Sequence, residues 1–405
     1  MNYERVVERA IDQVISLYCV NNPHLKLQTL TYEREKLKQY FLKRKGQTKQ
    51  NQIEEILKYQ SAYFLKWMNF YKISGMSLAV GLEKGPELYF YLGNGGEQDF
   101  PIDQTVRFDI ASVSKMFTDI HAIMDYKFGF IALDQPIHQI NSDFHYACTI
   151  TELLNFYYQL ETHPRIDDSN ITLLEAEKAL RLATTEQIGV HTYSDIPHMI
   201  YSRLSPDFKE HFRLYFNIIM GLYNTGYEVD ENALLTGNDY HYPRQVRDEK
   251  ARVCEYSGHA GIWSTSKDLV QFFQFLIREN LVTKQDLKIL TTLLTDDNYP
   301  RAMLYRQTGG GLYRNSEIPY ISSENAFAAS GSTGSWVLMD LENGYTANIL
   351  TNPYSSKHGI PNRYSNKLND LKVNLMDVIR KLQVIVKINE LEDQKEFLRK
   401  KYVLK

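Results

Sequence analysis

The spacing of hydrophobic residues divides the chain into helical and extended regions. Over residues 1–70, apolar side chains such as Val6, Ala10 and Val14 recur at helical intervals, which predicts amphipathic helices. Residues 46–51 are polar and are predicted to form a loop within this region. We expect this N-terminal helical extension to cover a sheet, with a dimerisation or partner-binding surface as the alternative.

Extended segments are predicted near both ends of the chain. Residues 75–82 and 87–92 are short apolar runs that flank a Glu-Lys-Gly-Pro turn, a pattern typical of a β-hairpin. Residues 335–340 and 345–351, on either side of a Glu-Asn-Gly turn, show the period of two that is typical of β-strands. Residues 112–290, between these pairs, show mainly helical spacing and long loops.

This distribution of elements predicts an α+β fold. Strands at both ends imply an antiparallel sheet built from distant segments, flanked by terminal helices, with an inserted and mostly helical lobe. A last helical run over about residues 368–398 supplies the C-terminal helix. We place the main domain at residues 71–405, with its sheet lobe at about 71–111 and 296–405 and its helical lobe at about 112–295.

Composition narrows the class of protein. Of the 405 residues, 43% are hydrophobic and 23% are charged, which suits a globular core. A net charge of −3 gives no electrostatic case for binding nucleic acid, and no apolar run has the length of a membrane span. The N-terminus lacks the basic start and apolar core of a secretion signal, which predicts a cytoplasmic protein. Cys19, Cys148 and Cys254 are far apart, so they are expected to be buried thiols in a reducing compartment.

Candidate chemistry lies in Ser112 and Lys115, at the start of a predicted helix. Positions three apart share a helix face, so the lysine amine can approach the serine hydroxyl and, when neutral, take its proton. A second Ser-x-x-Lys match begins at Ser264, where Thr265 and Asp268 instead indicate an ordinary capping box. The helix after Ser112 carries apolar residues at buried spacing, and a lysine on a buried helix needs a partner, which favours Ser112.

The residues around this pair resemble a known family. Residues 108–118, FDIASVSKMFT, and 129–137, GFIALDQPI, are similar to the serine β-lactamase-like superfamily, in the branch of class C β-lactamases, D-alanyl-D-alanine carboxypeptidases and related esterases. Residues 258–265, GHAGIWST, add to this resemblance, which covers about residues 75–355. It implies a two-lobed architecture with the active site between the lobes. His259 is interpreted as structural, because a Ser-Lys arrangement needs no histidine.

The resemblance implies roles for further residues. The family has a Tyr-x-Asn element, which corresponds here to Tyr193 and Asp195. Tyr193 would move protons, while Asp195 would orient Lys115, bind substrate or cap a helix. A family His-Thr-Ser-Gly stretch is replaced by an aromatic segment, in which Tyr157 would form part of the pocket wall. Residues 246–251 resemble a family Val-His-Asp-x-x-Ala stretch and are interpreted as a loop that braces the lobes.

The third element of the family aligns with residues 329–332. Here the N–H groups of Ser112 and Ser332 would form an oxyanion hole, and Ser330 and Gly331 would line the substrate site. Ala329 stands where relatives carry Lys or His, and no cation occurs between residues 315 and 356. An alanine cannot hold a substrate carboxylate, so this departure predicts neutral acyl substrates and disfavours β-lactamase or carboxypeptidase activity.

The leading hypothesis is therefore a serine hydrolase that acts through an acyl-enzyme on an ester or amide. Its substrate would be a small-molecule or peptide acyl compound, and no cofactor or metal is implied. One alternative is an acyl- or peptidyl-transferase that uses the same acyl-enzyme. Another is a catalytically silent relative that binds a peptide or protein partner. A homo-oligomer formed through the N-terminal helices is the remaining partner expectation.

Overall fold

A computed structural model describes most of the chain. The described residues are 2–21, 27–71, 73–95, 100–166, 170–190, 192–229, 232–234, 246–278, 281–291, 322–323, 326–352 and 368–403. The helices are α1 (Tyr3–Asn21), α2 (Leu27–Leu42), α3 (Lys49–Tyr71), α4 (Ser114–Lys127), α5 (Ile137–Ile140), α6 (Ile150–Leu154), α7 (Leu173–Arg181), α8 (Ile196–Leu204), α9 (Phe208–Phe212), α10 (Glu249–Val253), α11 (Ser266–Ile277), α12 (Lys284–Thr291) and α13 (Asn369–Val403). The strands are β1 (Gly75–Leu82), β2 (Glu87–Gly93), β3 (Arg107–Asp109), β4 (Tyr158–Glu161), β5 (Thr184–Ile188), β6 (Ala233–Leu234), β7 (Trp263–Ser264), β8 (Phe327–Ser330), β9 (Trp336–Asp340) and β10 (Tyr345–Thr351).

The main sheet has five antiparallel strands in the order β2-β1-β10-β9-β8. Its central pair joins the two ends of the chain, with Met76 opposite Thr351 and Leu82 opposite Tyr345. The turn between β9 and β10 contains Gly344 at φ +65°, a left-handed conformation that suits glycine. The predicted antiparallel sheet from distant segments is confirmed.

The sheet has a hydrophobic cluster on each face because side chains alternate along a strand. On β9, Trp336 and Leu338 face one cluster, whereas Val337 and Met339 face the other. Helices α1, α3 and α13 complete the first cluster, and α13 packs directly on α1, α3 and β1. Helices α4 and α11 contribute to the second. The N-terminal extension therefore covers the sheet, while the domain boundaries and the homo-oligomer stay predictions.

The segment between the two strand groups is mainly helical, as expected. It also contains two small sheets that the spacing did not predict: the two-stranded antiparallel sheet β4–β5 and the three-stranded arrangement β6-β3-β7. The predicted loop at residues 46–51 is partly wrong, because α3 begins at Lys49. Lysine, glutamine and asparagine form a polar first turn there, and hydrophobic spacing cannot distinguish such a turn from a loop.

Two of the three cysteines confirm the prediction of buried thiols. Cys148 and Cys254 are free and buried, and burial raises their thiol pKa values to about 12 and about 11. The side chain of Cys19 lies outside those described. None of the helices in the described ranges combines the length and apolar character that a membrane span requires.

Candidate active site

Ser112 lies at a tight turn between strand β3 and helix α4. It belongs to a 3₁₀ turn, Ala111–Val113, so the prediction that it sits within the first α-helical turn is slightly wrong. Ala111 has φ +47°, and its N–H donates to Asp109 Oδ1 at 2.8 Å, which fixes this unusual conformation. The turn leaves Ser112 partly exposed, while Lys115, the second residue of α4, points into the protein.

Lys115 is completely buried and lies among polar partners. Its Nζ is 3.3 Å from Ser112 Oγ, 3.0 Å from Tyr193 Oη and 2.7 Å from Asp195 Oδ1. It also donates to the carbonyl of His259 at 3.2 Å. The structure thus brings together Ser112, Lys115, Tyr193 and Asp195, although Tyr193 and Asp195 are far from Ser112 in sequence.

The electrostatics of this group favour a charged lysine. Burial acts to lower the pKa of Lys115, but Tyr193 and Asp195 outweigh it and raise this pKa above its ordinary value. Burial likewise acts to raise the pKa of Asp195, yet the charge of Lys115, with His259 and Lys250, holds it far below the usual range. The raised pKa favours the charged form of Lys115 near pH 7, and the transfer of the serine proton to a neutral Lys115 stays a prediction.

Tyr193 is placed between the nucleophile candidate and the lysine. Its Oη donates to Ser112 Oγ at 2.9 Å and accepts from Lys115 Nζ. Tyr193 is 43% exposed, so part of the residue faces solvent. This geometry allows a proton to pass between Ser112 and Tyr193 without movement of either side chain.

The contacts of Asp195 bear on a choice that the sequence left open. It precedes α8 at the N-cap position, but its side chain makes no capping hydrogen bond. Its two oxygens instead bind the ammonium groups of Lys115 and Lys250, at 2.7 and 3.1 Å. The geometry therefore favours orientation of Lys115 over capping.

The aromatic segment before β4 contacts the site through Phe156. Phe156, at φ +58°, packs between Tyr193 and His198, with ring centroids 5.6 and 5.4 Å away. Tyr157 instead contacts Tyr158 and lies near Gly189. The described contacts thus connect Phe156 to the site, and the role of Tyr157 in a pocket wall stays a prediction.

The end of β8 lies against the turn that precedes Ser112. A Cβ built on Gly331 would meet Ser335 Oγ, and would lie 2.5 Å from Ile110 O and 3.0 Å from Ala111 Cβ. Ser335 Oγ also donates to Ile110 O at 2.8 Å, and Thr333 Oγ1 donates to Asp109 O at 2.6 Å. Residue 331 must therefore be glycine for the two segments to approach so closely. Ser332 and Ser330, which flank it, are exposed and partly exposed.

Replacing Gly331 by alanine is expected to lower stability and to slow acylation of Ser112 together, because both segments must separate to admit the Cβ. We expect a loss of about 1–3 kcal/mol in the free energy of unfolding. Gly129→Ala provides the control. An alanine at position 129 would be strained by the backbone φ of +76°, but nothing lies within 4 Å of the Cβ that it would add. If both variants acylated at the wild-type rate, residue 331 would not adjoin the reactive serine. Denaturant unfolding and labelling kinetics measure the two effects.

Ala329 itself does not reach solvent. It is 1% exposed, pairs with Val337 and belongs to the hydrophobic cluster beneath the helical lobe. A cation from another segment nevertheless lies near the end of this strand. Arg247 Nη1 donates to the carbonyl of Ser332 at 2.6 Å, across 85 residues of sequence. Sequence spacing could not reveal this contact, because nothing in residues 246–251 indicates which strand end they meet.

His259 and Ser264, which the sequence also brought forward, both have side-chain partners within the fold. His259 Nε2 lies 2.9 Å from Asp248 Oδ1, which is consistent with its structural interpretation. Ser264 Oγ is buried and bonds Thr225 Oγ1 at 2.8 Å, while Lys267 is exposed. The predicted capping box is only half formed: Thr265 caps the N–H of Asp268, whose carboxylate binds Asn224 N and Thr225 Oγ1 instead.

Two clusters of histidine and acidic side chains have the residue types of a metal site. Their ligand atoms lie within 4.8 Å of one another: His121, Asp125 and His211; and Asp195, Asp248 and His259. In the first, Asp125 accepts hydrogen bonds from Tyr201, Ser205, Tyr215 and His211, which accounts for both of its oxygens. In the second, two ammonium groups already bind Asp195. Neither arrangement gives a reason to propose a metal.

Comparisons with known proteins agree with this architecture. A family model described as Beta-lactamase matches residues 62–368, more than half of the chain. A class C beta lactamase from Rhodobacter sphaeroides is 15% identical, with a TM-score of 0.59 over 78% of this chain and 98% of that one. A beta-lactamase/D-alanine carboxypeptidase from Pseudomonas syringae is 16% identical, with a TM-score of 0.61 over 80% and 98%.

A D-alanine carboxypeptidase from Burkholderia cenocepacia is 15% identical, with a TM-score of 0.58 over 83% of this chain and 99% of that one. At such identities the structural neighbours establish the fold alone. No curated protein sequence matches the chain significantly. The family match and the shared fold confirm the resemblance to the β-lactamase-like superfamily, and the chain is a member of the beta-lactamase family.

Proposed function

We propose that this protein is a serine hydrolase that forms an acyl-enzyme on Ser112 and acts on an ester or amide. The observation that carries the proposal is the contact of Ser112 Oγ with both Tyr193 Oη, at 2.9 Å, and Lys115 Nζ, at 3.3 Å. A serine hydroxyl becomes a useful nucleophile when adjacent groups can take its proton.

In the proposed reaction, Tyr193 acts in its phenolate form beside the charged Lys115, and its oxygen takes the proton of Ser112 while Ser112 Oγ attacks the carbonyl carbon. The same proton then moves to the leaving alcohol or amine as its bond to the carbonyl carbon breaks. Water attacks the resulting acyl-enzyme and gives a proton to Tyr193, which passes it to Ser112 Oγ as the acyl bond breaks and the acid leaves. Asp195 keeps Lys115 charged and oriented throughout, which supports Tyr193 as the proton-transfer group.

The N–H groups of Ser112 and Ser332 are the proposed donors to the oxyanion. The support for this assignment is the close approach of Gly331 to Ala111, which places the end of β8 beside the turn that carries Ser112. Two fixed N–H groups stabilise the negative charge that develops on the carbonyl oxygen. Within the third element itself, Ala329 offers no cation. We therefore favour esterase or amidase activity over β-lactamase activity.

Labelling with a fluorophosphonate tests the function. We expect one label per chain on the peptide that contains Ser112, and none in Ser112→Ala. Ser264→Ala is the matched control, because Ser264 begins the other Ser-x-x-Lys match but is buried, and this variant should label normally. A folded wild-type protein that takes no label would instead support the silent binding protein.

A further inference from the structure

Asp109 is a buried carboxylate at the end of strand β3, close in sequence to Ser112. Its two oxygens accept hydrogen bonds from two backbone groups that are distant in sequence. Oδ1 accepts from the N–H of Ala111 at 2.8 Å, and Oδ2 accepts from the N–H of Arg247 at 2.9 Å. A carboxylate that is removed from water needs such donors. One side chain therefore joins the turn that carries Ser112 to the segment 246–251.

The bond to Ala111 holds a backbone conformation that alanine rarely adopts. Ala111 has φ +47°, in the left-handed region, where a Cβ crowds the backbone. The peptide plane that joins Ala111 to Ser112 carries the Ser112 N–H, so the dihedral angles of Ala111 set the direction of that N–H. Asp109 thus acts on the first of the two donors that we assign to the oxyanion.

The bond to Arg247 leads to the second of these donors, the N–H of Ser332. The guanidinium of Arg247 donates to the carbonyl of Ser332 at 2.6 Å, while its own backbone N–H is the group that Asp109 holds. The guanidinium of Arg252 also donates to the carbonyls of Val246 and Arg247, at 3.0 and 2.8 Å. The position of Ser332 is therefore connected to Asp109 through one fixed residue.

The backbone at the end of β3 also binds the turn between β8 and β9. Thr333 Oγ1 donates to the carbonyl of Asp109, and Ser335 Oγ donates to the carbonyl of Ile110. These two bonds use main-chain oxygens, so they do not depend on which side chain stands at position 109. Replacing the carboxylate should therefore change the alignment of the two donors without separating the segments that carry them.

The charge of Asp109 depends on its burial. Burial raises the pKa of this carboxyl, and the charge of Asp248 acts in the same direction. The N–H groups of Arg247 and Ala111 and the Arg247 guanidinium act to lower the pKa, but the net shift is upward. A protonated carboxyl keeps one accepting oxygen and presents an O–H where the other backbone N–H lies. Asparagine imitates this form, because its amide has one accepting oxygen and one NH₂ group.

We propose that Asp109 is a positioning residue that aligns the two N–H donors of the oxyanion hole, those of Ser112 and Ser332. This inference rests on the proposed function, since it concerns the same acyl transfer. Asp109 acts through Ala111 on one donor and through Arg247 on the other, so one carboxylate sets the geometry of both.

The test compares 4-nitrophenyl benzoate with 4-nitrophenyl thionobenzoate, in which sulfur replaces the carbonyl oxygen. Sulfur is larger and accepts hydrogen bonds weakly, so aligned N–H donors favour the oxygen ester. We expect Asp109→Asn to lower the ratio of kcat/KM for the oxygen ester to that for the thiono ester by about 10- to 100-fold, since loss of one whole donor costs about 10²–10³-fold in kcat. Each ratio is measured on one preparation, so partial unfolding of a variant cancels.

Asp340→Asn is the matched control. Asp340 is also completely buried, burial likewise raises its pKa, and it accepts from the backbone N–H groups of Ser323 and Asn343, at 2.8 and 3.0 Å. It lies at the end of β9, whereas Ser335 immediately precedes the start of that strand. This variant should lose stability, as Asp109→Asn should, but its ratio should equal that of wild type.

The pH dependence of wild type tests the same step without a substitution. The ratio should fall as the pH falls through the native pKa of Asp109, which lies above the ordinary 3.8, because the protonated carboxyl no longer accepts both N–H groups. Protonation of Tyr193 slows both esters alike and cancels in the ratio. The ratio of Asp109→Asn should not change with pH. If this variant does not fold, the wild-type profile decides the result.

The outcomes separate this inference from the proposed function. An Asp109→Asn protein that labels at Ser112 and either keeps the wild-type ratio or loses activity equally with both esters would overturn the role of Asp109 and leave the hydrolase intact. Wild type that neither labels at Ser112 nor hydrolyses either ester would overturn both.

Discussion

Replacing Tyr193 by phenylalanine is expected to slow acylation of Ser112 by about 10²–10⁴-fold, the range for loss of a positioned proton-transfer group. The hydroxyl is the only part removed, and it bonds both Ser112 Oγ and Lys115 Nζ. Because the ring is 43% exposed, the fold should tolerate the change. The rate of fluorophosphonate labelling, and kcat on an activated ester, measure the effect.

Tyr126→Phe is the control for this prediction. Tyr126 is exposed to a similar degree, 44%, but it lies near the C-terminal end of α4, more than two turns beyond Lys115. Its variant should label at the wild-type rate. If Tyr193→Phe also labelled within a few-fold of wild type, Tyr193 would have no part in proton transfer and Lys115 would have to act without it.

The second large effect concerns stability, and it comes from Asp195. Asp195→Asn leaves the fully buried Lys115 without its anionic partner. Breaking a buried ion pair costs about 3–5 kcal/mol, and we expect the lower end of that range because Asp195 is 21% exposed. Burial would then be the dominant influence on the pKa of Lys115, so this pKa should fall. Denaturant unfolding at pH 7 measures the free energy of unfolding.

The pH dependence of this loss follows from the two pKa shifts. Folding lowers the pKa of Asp195. The contribution of this carboxylate to the free energy of unfolding is therefore present above its ordinary pKa of 3.8, and it disappears as the pH falls through the native pKa. The pKa of Lys115 is raised, so its contribution is complete below 10.5 and disappears as the pH rises through the native pKa. Wild type should therefore exceed Asp195→Asn in stability most clearly between about pH 4 and 10.

Asp286→Asn is a matched comparison for Asp195→Asn. Asp286 binds Lys127 at 2.6 Å, but Lys127 is 27% exposed and water can hydrate it when the carboxylate is lost. The loss of stability should accordingly be smaller than at Asp195. Equal losses in the two variants would show that burial of Lys115 does not determine the cost.

Local sequence patterns predicted the helices and strands in which apolar residues recur with a strong periodicity. The stripe on α1, the hairpin β1–β2 and the pair β9–β10 each depend on neighbouring residues, so the sequence indicated them and the structure confirms them. Strand β5 was missed because Thr184–Ile188 is exposed along its whole length and has no apolar alternation. The short strands β6 and β7 depend on pairing with β3, which lies far away in sequence.

The sequence likewise predicted the candidate site only where the signal was local or came from the family resemblance. The spacing of Ser112 and Lys115 is local, and the resemblance supplied Tyr193 and Asp195; the structure brings all four together, while their catalytic roles stay proposals. The raised pKa of Lys115 was not foreseen, because it depends on which side chains lie beside the buried amine. Arg247 was not foreseen either, because its contact with Ser332 is a product of the tertiary fold.

The pairing of β1 with β10 determines the order in which this chain can fold. Met76 lies opposite Thr351, so the central ladder joins residues separated by most of the chain, and closing that loop costs entropy before any pairing is gained. On the ribosome, β1, β2 and the apolar sides of α1 and α3 emerge long before β10 and α13, which cover them. A nascent chain halted before β10 would therefore hold an unfinished sheet with an open strand edge, a species prone to self-association and suited to chaperone binding.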